Sequence, residues 1–173
     1  MKLILTSHDP SWKERFSSES CRLLQALGPN VIAIHHIGST SIPDVLAKPV
    51  IDVLVEVRQI DQVDENTGQK CDLLYEAMGE YGIDGRRYFR RSRTGEFPAF
   101  HIHVFATNSE HVERHLAFRD YLLAHPGKAK EYSELKVKLS ESGSASKSDY
   151  QAAKTPFIEA CIKDATKWSR HSL

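Results

Sequence analysis

His36-Ile37-Gly38-Ser39-Thr40, followed after a short gap by Lys48-Pro49-Val50-Ile51-Asp52-Val53-Leu54-Val55, is the stretch whose reading decides the fold. A β-branched run from Val31 ends in a Gly-Ser turn, and a second β-branched run carries one acid in its middle. β-Branched residues suit a pleated, half-buried surface, so Val31–Ile37 and Val50–Val57 read as two core strands. Gly38 lets the backbone approach a ligand closely, and the hydroxyls of Ser39 and Thr40 beside free N–H groups suit a phosphate. An Asp within an apolar strand is costly unless it meets a cation or a hydrogen-bond donor. The two runs therefore read as a phosphate-and-metal site on adjacent strands. The alternative for Asp52 is a structural acid bonded to the Gly38-Ser39 turn.

Outward from this pair, Asp9-Pro10 reads as a cap and first helical position, opening a helix that Gly28-Pro29-Asn30 stops. Its apolar stripe is expected to use Trp12, Phe16, Cys21, Leu23, Leu24 and Leu27. Leu3 to Thr6 reads as a short strand or an extended arm, and Asp44 to Ala47 as one helical turn. A helix is expected over Asp61 to Gly79, with Leu73, Leu74, Ala77 and Met78 at its apolar end. Ile83 to Arg91 and Ala99 to Phe105 read as strands of an antiparallel hairpin. Helices follow over Ser109 to Ala124, Pro126 to Ser140 and Ser148 to Trp168. Strands in the middle and helices at both ends predict an α+β fold with a mixed sheet, in one domain spanning residues 1–173.

Composition narrows the function classes. Lys plus Arg and Asp plus Glu both number 23, so no global field steers the chain toward nucleic acid or membrane. No apolar run reaches membrane-spanning length. Cys21, Cys71 and Cys161 lack the spacing of a zinc or redox motif and read as small buried helix residues. A reducing cytosol fits them best. No P-loop or dinucleotide fingerprint is present.

Strand alternation places Asp52, Leu54 and Glu56 on one face. Glu56 lies roughly 13 Å along the strand from Asp52, too far to chelate the same ion. His101 and His103 share a face of their own strand, and Asp52 with either histidine reads as a site for one metal. Imidazole favours zinc or another transition metal over magnesium. His35 and His36 point to opposite faces, and His36 is expected to be the one nearer the site. Lys48 is a candidate for neutralising phosphate. Arg86 and Arg90 are expected on one face of the hairpin, with Arg87, Arg91 and Arg93 on the other. Arg90 is the candidate anion binder, against a solvated edge as the alternative. Few aromatics interleave these arginines, which argues against an RNA platform.

The run HIGSTSIPDVLAKPVIDVLVEV (residues 36–57) resembles the signature of the GrpB family. So do Phe118-Arg119-Asp120-Tyr121-Leu122 with His125-Pro126, Tyr132 with Leu135-Lys136, and Tyr150-x-x-x-Lys154-x-x-Phe157-Ile158. The resemblance runs from about Asp9 to Ile162. It implies a nucleotidyltransferase-like mixed sheet flanked by helices, with added C-terminal helices that cover one side of a cleft. It also implies similarity to a segment fused to some bacterial dephospho-CoA kinases. On this resemblance Ser39 and Thr40 hold phosphate, and Arg119, Lys136 and Lys154 line the cleft. A nucleotidyltransferase of the usual kind has two acids two residues apart on the Asp52 strand. Here Leu54 takes the second place, which puts ordinary two-metal transfer in doubt.

Two functions are expected from these residues. The first is a transferase that moves a nucleotidyl or phosphoryl group from a nucleotide or phosphorylated small molecule, using a divalent metal (Mg²⁺ or Mn²⁺, or Zn²⁺). Asp52 would hold the metal, with His101 and His103 as further ligands. His103 is alternatively the general acid–base, while Gly38, Ser39, Thr40, Lys48 and the arginines hold phosphate. The second is a non-catalytic module on the same fold that binds a nucleotide or CoA precursor. A third, weaker reading is a metal-dependent hydrolase using His36, His101, His103 and Asp52.

Overall fold

The computed structural model of the chain describes residues 4–67, 74–143 and 146–171. The two β-branched runs form β1 (Val31–Ile37) and β2 (Val50–Val57), paired antiparallel so that Ile37 lies opposite Asp52. The hairpin forms β4 (Arg87–Arg91) and β5 (Ala99–Ala106), with β3 (Glu76–Ala77) added at the edge of β4. The sheet order is β1-β2-β5-β4-β3. Its one parallel pair, β2 with β5, sets Asp52 beside His101 and Leu54 beside His103. This is a mixed sheet, and the fold is α+β.

Helix α1 (Ser11–Leu27) and α2 (Asp61–Thr67) cover one face of the sheet. Trp12, Leu23 and Val63 pack there on Ile51, Val53, Val55 and Val57 of β2 and on Phe100, Ile102 and Val104 of β5. Period-two alternation explains this, because the odd residues of β2 all point to that face. The other face carries Asp52, Leu54, His101 and His103. Ile37, Leu54 and Phe105 pack there against Val112 of α3 (Glu110–Ala124). Helices α4 (Pro126–Glu141) and α5 (Lys147–His171) complete this layer. The segment after Gly38 is pinned into it. Ile42 and Val45 bury among Tyr121, Leu122, Tyr132 and Cys161, and the Leu46 N–H donates to Ser133 Oγ at 2.9 Å.

Local expectations and structure differ at five places. Of the helix expected over Asp61 to Gly79 the structure describes Asp61–Thr67, and residues 68–73, Leu73 among them, lie outside the described residues. Glu76 and Ala77 are extended instead, because their backbone satisfies an otherwise open edge of β4. Leu74 is exposed rather than part of an apolar end. Asp44 to Ala47 is not a helical turn, since Ala47 bridges Thr6 through two backbone bonds of 2.8 and 2.9 Å. That bridge fits the extended arm, one of the two readings of Leu3 to Thr6, and residues 1–3 lie outside the described set. Cys21 is exposed, Cys161 is buried as expected, and Cys71 is not described.

The last difference has a clear cause. The sheet-facing stripe of α1 runs Trp12, Phe16, Glu19, Leu23, at helical spacing. Cys21 and Leu24 therefore point outward, and Glu19 points in. Its carboxylate is held by Arg91 Nη2 at 2.9 Å, Arg22 Nη1 at 3.2 Å and the Tyr75 hydroxyl at 2.9 Å.

Candidate functional site

The site is built on the contact between Gly38 and Asp52. Gly38 has φ +71° and ψ −175°, a conformation essentially restricted to glycine. A Cβ placed there would lie 2.5 Å from Asp52 Oδ2. Ser39 to Ser41 then form a single 3-10 turn, closed by the Ser41 N–H on Gly38 O at 3.1 Å. The cross-strand pairing of Ile37 with Asp52 brings turn and acid together.

Asp52 meets two donors from β5. His101 Nδ1 lies 3.4 Å and His103 Nε2 3.5 Å from Asp52 Oδ1. Burial raises the Asp52 carboxyl, but bonding to the two imidazoles outweighs it and holds the group well below the usual carboxylate range. His103 Nδ1 in turn faces Arg86 Nη1 at 3.4 Å. Arg86 was expected on a regular strand. It is instead buried just before β4, donating to the carbonyls of Glu80 and Tyr81.

Four lysines line the cleft from the other side, Lys48, Lys136, Lys147 and Lys154. Lys136 of α4 is 3% exposed and donates to Ser39 Oγ at 2.9 Å and to the Leu46 carbonyl. Lys48 and Lys154 flank the Tyr150 ring, 5.0 and 4.5 Å from its centre. Desolvation lowers the Lys136 ammonium to about 7, reinforced by repulsion from Lys154 and Lys48. Desolvation and Lys48 lower Lys154 to about 8. Lys48 is shifted down by burial and by Lys147. These groups surround a cleft of about 270 Å³ in which Asp52 is the sole carboxylate among the described lining residues.

A second compartment of about 480 Å³ shares Ser39, Asp52, Gln151 and Lys154 with the first, so the two are continuous. Its wall is mixed: Phe118, Tyr132 and Ile158 on one side, His103, His111 and His115 on the other. Burial, with His103 nearby, lowers His115 to about 4, so it is neutral at pH 7.

The structure thus brings Gly38, Ser39, Lys48, Asp52, His101, His103, Lys136 and Lys154 to one cleft. It does not bring the remaining candidates in the same way. Thr40 contributes to the wall, but its hydroxyl is taken by His36 Nε2 at 2.9 Å. His36 itself faces α1, stacked on Phe16 with ring centres 4.9 Å apart, so it does not join the site face as expected. Its register partner is Val53, not Asp52, which decides its side of the sheet. Arg90 lies opposite His101 but bonds Glu76 Oε2 at 2.7 Å, because β3 sets that acid against it. Arg119 braces the turn from behind, donating to the His36 carbonyl at 3.1 Å and to Asp120 at 2.7 Å. Arg87 and Arg91 face the other side, paired with Asp64 and Glu19. Sequence reading missed His111 and His115, although their i, i+4 spacing before Phe118 places both on one helix face.

The described residues do not fit a two-ion centre. Leu54, fully buried, occupies the second acid position, and Glu56 is bonded to His35 at 2.7 Å and Thr107 at 3.2 Å. Among the described residues no group of three or more His, Cys, Asp or Glu side chains is arranged to hold a metal ion.

The family model for the GrpB protein matches residues 2–164. The chain belongs to the GrpB family. It is 42% identical over 169 residues to the UPF0157 protein YqkA of Bacillus subtilis, covering 98% of this chain and 49% of that protein. It is 28% identical over 188 residues to a dephospho-CoA kinase of Mycobacterium tuberculosis, covering 95% of this chain and 46% of the kinase. The chain therefore spans about half the length of these two relatives. The crystal structure of GrpB from Enterococcus faecalis superposes with TM-score 0.87 at 39% identity, covering 96% and 99% of the two chains. Cid1 in complex with its short product ApU superposes with TM-score 0.52 at 14% identity, covering 76% of this chain and 42% of Cid1. That likeness shows the nucleotidyltransferase-like fold. Among the described residues no helix is long and apolar enough to cross a membrane.

Proposed function

We propose that the cleft binds a nucleotide or another phosphorylated small molecule and transfers its phosphoryl or nucleotidyl group. The observation that carries this reading is the convergence of Lys48, Lys136 and Lys154 on the Ser39 hydroxyl, with Asp52 as the single acid among them. Burying cations together is unfavourable unless an anion joins them. Phosphate oxygens supply that charge and match the available hydroxyl and ammonium donors. The adjoining compartment, half apolar and half imidazole, has the character of a site for the organic part of the ligand. Cid1, whose fold the chain shares, was crystallised with the product ApU, and the kinase relatives are named for a CoA precursor. Both belong to the ligand class proposed here.

In this reading the lysines neutralise charge that develops on the phosphate, and the Gly38–Ser39 turn fixes its position against Asp52. A divalent ion (Mg²⁺, Mn²⁺ or Zn²⁺) would meet one protein carboxylate, Asp52, and take the rest of its shell from phosphate and water. The test is thermal shift and calorimetry with ATP, dephospho-CoA and tripolyphosphate, each with and without the three metals. A ligand that binds only the folded state raises the midpoint by mass action. Shifts that disappear in Lys154→Met support the reading. Shifts indifferent to Lys154 and Lys136 would refute it. Binding without turnover in any metal would leave the non-catalytic module.

A further inference from the structure

One nitrogen in the cleft stands apart from the bonding just described. An ionised carboxylate only accepts hydrogen bonds, so the ring nitrogens facing Asp52 carry protons: Nδ1 of His101 and Nε2 of His103. In a neutral imidazole the other nitrogen then holds a lone pair. For His103 that nitrogen, Nδ1, faces the Arg86 guanidinium. For His101 it is Nε2, and among the described residues nothing bonds to it. The His101 side chain keeps 28% of its exposure and lines the same compartment as Lys48, Lys136, Lys147 and Lys154. Its edge contact with the Tyr88 ring, 5.6 Å between centres, supports the ring from β4.

A carboxylate at one imidazole nitrogen, a free lone pair at the other and lysines lining the same compartment make up an activated nucleophile at an anion pocket. We propose that His101 Nε2 accepts the transferred phosphoryl group as a covalent phosphohistidine. This rests on the reading of the lysine compartment as the phosphate site. In the first step the Nε2 lone pair forms a bond to phosphorus. The bond from phosphorus to the leaving oxygen breaks, and that oxygen keeps the electron pair and takes a proton from solvent. The Nδ1 proton stays directed at Asp52, whose negative charge offsets the positive ring. In the second step an acceptor hydroxyl or water attacks phosphorus and releases its proton to solvent. The N–P bond then breaks and its electron pair returns to Nε2. His103, locked between Asp52 and Arg86, positions the carboxylate and takes no phosphoryl group.

Phosphoramidate tests this without knowledge of the natural donor, because its leaving group is ammonia. The full chain is incubated with it and the site mapped by mass spectrometry, with ³¹P NMR to tell Nε2 from Nδ1. The expected result is one acid-labile, base-stable phosphoryl group on Nε2 of His101. It should be prevented by tripolyphosphate, absent in Asp52→Asn and Lys154→Met, and not formed when the reagent is added to the urea-unfolded chain. His101→Gln, with a wild-type melting midpoint, should show none. Mapping on the wild type keeps the test valid if that variant fails to fold. Label on another histidine, or equal labelling of His101 when the reagent is added to the urea-unfolded chain, overturns the proposal. No label while tripolyphosphate still raises the midpoint overturns His101 as nucleophile and leaves the phosphate site standing. No label and no tripolyphosphate shift removes both.

Discussion

Replacing Gly38 by alanine should be among the most costly single-methyl additions in this protein. Two independent penalties meet there. The backbone at φ +71° and ψ −175° lies in a region essentially closed to residues with a Cβ, which costs about 1–3 kcal/mol. The added carbon would also sit 2.5 Å from Asp52 Oδ2, well inside contact distance. Asp52 cannot swing aside freely, since Oδ1 faces His101 and His103. Overpacking of this kind costs about 1–3 kcal/mol. The combined loss is about 2–6 kcal/mol, a large share of the stability of an ordinary domain. Urea denaturation of wild type, Gly38→Ala, Asp52→Ala and the double variant measures both parts. The steric part should fall in the Asp52→Ala background, where only the 3.1 Å approach to the Cβ of residue 52 is left, giving a coupling of about 1–3 kcal/mol, while the backbone part remains. A loss below about 1 kcal/mol for Gly38→Ala, or no coupling to Asp52, would refute the argument that turn and acid are built against each other.

Three further outcomes follow from the charges. Lys136 titrates near 7 in the folded protein against 10.5 ordinarily, so between those values the unfolded chain holds a proton that the folded chain has lost. Stability contributed by this group therefore rises with pH from about 7 upward, and Lys136→Met should flatten the difference across pH 7–9.5 in urea melts. A wild-type profile parallel to the variant's would refute it. The same sign makes anion affinity fall as pH rises through 7 to 8, with net proton uptake on binding, read by calorimetry in buffers of different ionisation enthalpy. On the opposite face, Glu19→Ala removes a buried carboxylate shared by Arg91, Arg22 and the Tyr75 hydroxyl and should cost about 1–3 kcal/mol. Tripolyphosphate binding should survive it, and loss of binding in a folded Glu19→Ala protein would contradict the separation of the two faces.

Legibility in the sequence followed the range of the interactions. β1, β2, the hairpin and the three C-terminal helices were readable because strand alternation and helix capping act over a few residues. Asp52 and the Gly38-Ser39 turn were readable for the same reason: an acid in an apolar strand and a glycine before a hydroxyl run need a local cause. The short edge strand β3 was misread as helix because its conformation is set by backbone partners on β4, more than ten residues away. Glu19 was overlooked and Cys21 misplaced because a one-position rotation of α1 decides which face is buried.

By itself, the sequence determined the α+β class, the strand pair that carries Asp52, and that Leu54, not an acid, stands two residues beyond it. Each is a property of residue type and spacing along one segment. Only the tertiary structure decided that β5 lies parallel beside β2, so that both histidines reach Asp52. It alone showed that His36 faces α1, that Arg90 is spent on Glu76, and that lysines from three separate segments share one pocket. Those facts depend on which distant segments the hydrophobic layers press together. No local pattern carries that information, because burial is gained by the whole sheet and both helical layers at once.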